Sequence, residues 1–349
     1  MECANLYFET MELFMIKIVQ IIVSSLSIII AANPASADAR SDLLAMYDQG
    51  CLAVSLPDPH GQIMAADFRE HLITHPDFAS KVDVIALEFA SAFHQDLLDR
   101  WVLEGEDIPL SETRKIWRDT LSLFVWDSPL YESFFIALRE ANLALPREHR
   151  VRALALAPAI DWANAESHDD IAPYMERGRL MPERIHTEAL SNGQTVLIIM
   201  GSSHYIRRGY FGRRGGGSAY LDRRYPNQLC VIAQVNAEHG NAERFAISHN
   251  FKANVPRLIY PITGSDFEGI RSDQIMGAEA RGKIEQAADA ILYLGNDGTG
   301  SYPDFDIYDS SYRSELSRRV PLIWPGSDGD EFVEDTLART MRWKEGLPE

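Results

Sequence analysis

TVLIIMGSSH, residues 195–204, decides the fold. Val196-Leu197-Ile198-Ile199-Met200 is an unbroken apolar run, and Gly201-Ser202-Ser203-His204 ends it with small, polar residues. A run this short, with no polar alternation, reads as a strand buried on both faces, as in a parallel sheet covered by helices. The same character recurs at 51–56 (CLAVSL), 82–88 (VDVIALE), 151–156 (VRALAL), 229–235 (LCVIAQV) and 290–294 (AILYL). Helical patterns fall between these runs, at 62–74, 92–104, 112–124, 129–144 and 168–191. Strands alternating with helices predict an α/β fold: a mainly parallel central sheet flanked by helices, with right-handed crossovers. Residues 38–349 are expected to form a single domain.

The stretch 89–150 is too long for one crossover. Its aromatics, among them Trp101, Trp117, Trp126, Tyr131 and Phe135, suit a helical insertion over one end of the sheet, either a lid or a packing layer. Residues 209–222 form a glycine-rich loop without the P-loop or Rossmann spacing. From 236 to 289 the periodicity weakens.

The 349 residues are 46% hydrophobic and 24% charged, an ordinary globular composition. A net charge of −18 argues against a nucleic-acid partner, because phosphate binding requires a basic field. From Met15 the chain reads MIKIVQIIVSSLSIIIAANPASADA: one lysine, an apolar run too short to span a membrane, then Ala35-Ser36-Ala37. This is the plan of a secretory signal peptide cut after Ala37, with 1–14 as an upstream extension. It predicts an exported protein, periplasmic or secreted, with no stable membrane anchor. Cys51 and Cys230 follow the cut, both in apolar runs, and buried free thiols are expected.

Ligands of open α/β sheets bind outside the carboxyl ends of the strands. The first run is followed there by Pro57-Asp58-Pro59-His60, and the second ends in Glu88. The third leads to Asp161, the fourth to His204 and the fifth to Glu238-His239. Helix capping by Glu88 or Asp161 is the local alternative, as is closure of a proline turn by His60. Two imidazoles with two carboxylates suit general acid–base hydrolysis or a divalent metal held by His60, Glu88 and His204. A Ser-His-Asp hydrolase is less attractive, since the G-x-S-x-G elbow is absent.

On these residues the chain resembles the superfamily that joins ChaN-like haem-binding lipoproteins, erythromycin esterases and the TraB/Tiki metalloproteases. Gly201-Ser202-Ser203-His204 is similar to its G-x-x-H turn. Glu88 in VDVIALEFASAFHQDLLDRW is similar to its glutamate strand, and APAIDW at 157–162 to a D-P-P-I-D-W signature of bacterial members. The first turn departs from the family's G-E-x-H or G-T-x-H: Pro57 stands for the glycine and Asp58 for the glutamate. The resemblance covers about residues 50–210. It implies a pocket of His60, Glu88, Asp161 and His204 in an esterase-like or peptidase-like hydrolase with a small-molecule or peptide substrate. The alternatives it implies are a haem-binding protein, with iron held by a residue such as Tyr205, or a member that has lost catalysis.

Overall fold

Each of the six apolar runs forms a strand in the computed structural model. It describes residues 38–201, 204, 206–207, 216–235, 241–252, 255–277, 280–297, 299–301 and 309–344. The strands are β1 (Ala53–Pro57), β2 (Val84–Ser91), β3 (Arg152–Ala157), β4 (Val196–Met200), β5 (Leu229–Gln234), β6 (Arg257–Ile259) and β7 (Ala290–Tyr293). They lie side by side in the order β3-β2-β4-β1-β5-β7-β6. All neighbours are parallel except β6, which runs antiparallel to β7 at the edge. The sequence gives no sign of β6, because three exposed or half-buried residues are too few to show a period.

The apolar runs serve two cores at once. Val54, Leu56, Ile85, Leu87, Leu197 and Ile199 face one side, while Ala53, Val84, Ala86, Val196, Ile198 and Met200 face the other. Helices α1 (Ala39–Asp48), α2 (Ile63–Ile73) and α3 (Pro129–Leu143) cover the first side. Helices α4 (Arg177–Glu188), α5 (Gly216–Arg224) and α6 (Asn241–Ser248) cover the second. A third core lies under the hairpin of α7 (Ser310–Ile323) and α8 (Gly329–Lys344), where Leu121, Leu123, Ile160 and Trp162 also pack.

Of the expected helices, 62–74 and 129–144 form as α2 and α3. The stretch 92–104 divides into Ala92–His94, Gln95–Leu98 and a π segment, Asp99–Glu104. The 112–124 stretch keeps only the short turns Leu110–Thr113 and Lys115–Arg118. The physical reason is divided burial: Ile116 and Trp117 enter the first core, but Leu121 and Leu123 enter the third. No single helical face can serve both. In 168–191 the chain breaks around Pro173 before α4 begins.

The insertion's aromatics form a packing layer. Trp117 stacks on Phe135 at 5.4 Å, and Phe89 of β2 meets Phe134 and Phe135 edge-on. Residues 38–349 form one compact unit. Residues 1–37, the segment expected to be a signal peptide, lie outside the described residues.

The expectation of free thiols is corrected. Cys51 and Cys230 form a disulfide, with a Cα separation of 5.7 Å across 179 residues of sequence. The cause is strand order: β1 pairs directly with β5, so Cys51, two residues ahead of β1, meets the second residue of β5. Periodicity puts the two cysteines on strands but does not say which strands are neighbours.

Candidate functional site

His60, Glu88 and His204 converge at the carboxyl ends of β1, β2 and β4. His60 sits in the turn after β1, which is held at both ends. Asp58 N–H donates to the Met200 carbonyl at 3.0 Å, and Ile63 N–H to Thr299 at 3.1 Å. Between them Gly61 has φ +74°, and a side chain there would lie 2.8 Å from the Ser301 carbonyl oxygen. Glycine is required on both counts.

Glu88 lies on β2 where the pairing with β3 slips, between Leu87↔Ala155 and Ser91↔Ala157. Bulges re-aim side chains next to sites. The carboxylate of Glu88 accepts the Gly201 N–H at 2.6 Å through Oε2, closing the end of β4. Its Oε1 is 3.2 Å from His204 Nε2 and 3.9 Å from an Arg177 guanidinium nitrogen. Arg177 in turn donates to the Ser122 hydroxyl. His204 stands one turn beyond β4, its N–H bonded to the Gly201 carbonyl at 3.0 Å.

Gly201 is the hinge of the group. A Cβ there would lie 3.2 Å from His60 Nε2 and 3.3 Å from Glu88 Oε2. The missing side chain is what lets the His60 ring and the Glu88 carboxylate face one point.

A second carboxylate–imidazole pair forms beside the first. The His60 Nδ1 atom is 3.5 Å from Asp58 Oδ2, and the Trp126 ring packs edge-on to the imidazole at 4.6 Å. Asp58 is fully enclosed; Arg69 reaches it at 2.5 Å and the Tyr131 hydroxyl donates to it at 3.2 Å. Tyr131 also accepts the Gly61 N–H.

Charge follows from these contacts. Burial pushes the Asp58 carboxyl up, but the Arg69 guanidinium and His60 outweigh it and hold it below the ordinary value. Burial likewise raises Glu88, and the hydrogen bond and charge of His204, with the Gly201 N–H, bring it down further than burial lifts it. Desolvation pulls His60 down, but the hydrogen bond and charge of Asp58, with the charge of Glu88, leave it raised above 6.5. Both carboxylates are therefore anions at neutral pH.

The expected set divides on inspection. His60, Glu88 and His204 come together. Asp161 does not join them: its carboxylate accepts from Asn164 at 2.6 Å, while Trp162 buries into the third core. Its hydrogen bonds go to Asn164 and Ala165. Tyr205, the candidate iron ligand, lies outside the described residues, as do Ser202, Ser203, Glu238 and His239. No group of three His, Cys, Asp or Glu side chains among the described residues has the arrangement of a metal site. Each carboxylate is committed elsewhere, Glu88 to Gly201 and His204, and Asp58 to Arg69, Tyr131 and His60.

Arg69, Tyr131 and Trp126 are absent from the expected site. Arg69 left a signal. It occupies the middle of the buried stripe Ala65-Ala66-Arg69-Leu72-Ile73 of α2, where an arginine needs an anion. Tyr131 and Trp126 left none, since they sit among many core aromatics.

No family model matches the chain, and no curated protein does. Solved structures do. A Bacillus cereus protein superposes over 77% of this chain and 94% of its own, with a TM-score of 0.50 and 11% identity. A mutant of the erythromycin esterase EreC, in its open conformation, superposes over 74% and 94%, with a TM-score of 0.52 and 11% identity. ChaN of Campylobacter jejuni, solved with cofacially bound heme, aligns over 72% and 91% at a TM-score of 0.41 and 11% identity. The likeness to the first two is one of fold.

Proposed function

We propose that this chain, folded like the erythromycin esterase EreC, is an exported hydrolase of esters or peptides, with His60 as its general base. The observation that carries the proposal is the convergence of two carboxylate–imidazole pairs on the space beside Gly201. Asp58, kept ionised by Arg69, accepts Nδ1–H of His60 and so leaves Nε2 free to take a proton. Its 3.5 Å separation is of the length common in catalytic pairs before substrate binds. A water between His60 Nε2 and the substrate carbonyl loses its proton to the imidazole as its oxygen attacks carbon. His60 then returns that proton to the leaving group. Beside it, the Glu88 carboxylate takes up the Nε2–H of His204, and this pair positions the site. His60, with 43% of its side chain exposed, is open to substrate.

The disulfide supports export, because such bonds persist in oxidising compartments. So does Asp38, which caps α1 and lies next to the expected cut.

The test is hydrolysis of chromogenic esters and peptides by the purified protein and by His60→Ala, Glu88→Gln and His204→Ala. Loss of a general base costs roughly 10²–10⁴-fold, and that is the expectation for His60→Ala. Full activity in His60→Ala would overturn the assignment. Haem absorbance in purified protein, lost in the same variants, would replace hydrolysis with ligand binding.

A further inference from the structure

Arg177 opens α4 at the edge of the site. Its Nη1 donates to the Ser122 hydroxyl at 3.0 Å and lies 3.9 Å from Glu88 Oε1, beyond hydrogen-bond length. Its Nε and Nη2 have no partner among the described residues, and 35% of the side chain is exposed. These two nitrogens form one edge of the guanidinium. That edge presents two parallel N–H groups, the fork that a carboxylate accepts with both oxygens.

The place is an unfavourable one for a cation without a task. Positive charge in the first turn of a helix opposes the helix dipole. Arg179, in the same turn of α4, is offset by Glu176 at 2.9 Å and Glu183 at 3.1 Å. Arg177 has only Glu88, whose carboxylate already takes His204 and the Gly201 N–H. Arg69, the other guanidinium of the site, is enclosed and taken up by Asp58.

One tight loop joins Arg177 to the general base. Val125 N–H bonds back to the Ser122 carbonyl at 3.3 Å. Ser122, which holds Arg177, thus lies one turn from Trp126, which packs on His60. Along the other wall, Glu88 reaches from Arg177 to the space beside Gly201 that His60 Nε2 faces. The fork and the base border one site.

We propose that Arg177 is the specificity residue of this site: the substrate carries a carboxylate, bound in the Nε–Nη2 fork, while His60 acts on an ester or peptide bond of the same molecule. This rests on the hydrolase reading for the bond that is cut, but not for the anion that is held. A carboxylate suits the fork better than a phosphate dianion. Its one charge matches one guanidinium, whereas a second would face Glu88 unbalanced.

Two measurements test this. In the first, nitrophenyl monoesters of succinic, glutaric and adipic acids are compared with uncharged nitrophenyl esters of equal length, spontaneous hydrolysis subtracted. In the parent, kcat/KM should favour a charged ester by roughly 10–100-fold, as a charge-assisted fork allows. Arg177→Met should bring that ratio near one, chiefly through KM. Arg177→Lys, which keeps the charge without the fork, should restore part of it. In the second, benzoate added to the full ¹⁵N-labelled chain should shift the Arg177 Nε–H signal, identified by its absence from Arg177→Met, and benzamide should not. A ratio near one in the parent, an unchanged ratio in Arg177→Met, or tighter binding of phenyl phosphate than of benzoate would overturn the proposal. So would an Nε–H signal that benzoate leaves in place, whatever is hydrolysed. A shift by benzoate with no ester turned over would keep the carboxylate site and defeat the hydrolase.

Discussion

At the scale of single residues, the pocket is built by charge and by the absence of one side chain. His60 titrates above 6.5 because Asp58 and Glu88 face it, so its proton NMR titration should have a midpoint above that value. Glu88→Gln removes one of the two charges and should lower the midpoint. An unchanged midpoint would mean that Glu88 does not act on His60. Stability follows the same shifts. The share due to His60, whose pKa is raised, is complete below about 6.5 and is lost as pH rises through its folded value. The shares due to Asp58 and Glu88, both lowered, are complete above about 4 and are lost as pH falls through their folded values. Denaturant midpoints should therefore peak between these limits, and His60→Ala should flatten the alkaline side. Gly201→Ala tests the missing side chain. Its methyl meets His60 and Glu88 at 3.1–3.3 Å, so both must move. Hydrolysis should fall, by less than the roughly 10²-fold that a displacement of about 1 Å costs, with a circular-dichroism spectrum like that of the parent. Unimpaired turnover would show that the two groups need not face one point.

At the scale of elements, two cross-links hold the site's frame. The first is Arg69 of α2 to Asp58 of the β1 turn, both enclosed. Arg69→Met takes the guanidinium from a buried carboxylate, leaving it only Tyr131 and His60, and should cost up to about 3–5 kcal/mol in chemical denaturation. A loss under 1 kcal/mol would mean that Asp58 is reached by water. The second is the disulfide from Cys51, two residues ahead of β1, to Cys230 of β5. Replacing both cysteines by serine should cost about 2–5 kcal/mol, seen as a lower melting temperature that the reduced parent reproduces. Equal melting of oxidised and reduced parent would show that the sheet alone fixes β1 against β5. The sequence carried the first cross-link as an arginine within an apolar stripe. It carried the second only as two cysteines, because nothing local says that β1 and β5 are neighbours.

At the scale of the whole molecule, the export proposal joins the two ends of the account. If the chain is cut after Ala37, protein recovered outside the cytoplasm should begin at or near Asp38 by N-terminal sequencing and carry an intact disulfide. An uncut N-terminus on membrane-bound protein would defeat it. Six of the seven strands, their parallel character and the imidazole beyond Met200 were determined by the sequence itself; the antiparallel β6 was not. Burial on both faces demands unbroken apolar runs, and a Gly-Ser-Ser-His turn marks where the chain leaves the sheet. Only the tertiary structure decided which candidates meet. Strand order β2-β4-β1 places Glu88, His204 and His60 side by side, and the slip in β2 aims the carboxylate at Gly201. Asp161 ends a strand like the others, but the pull of Trp162 into the third core carries it away. Hydrophobic period is a property of neighbours along the chain. Proximity across a sheet depends on strand order, a long-range property that no local pattern encodes.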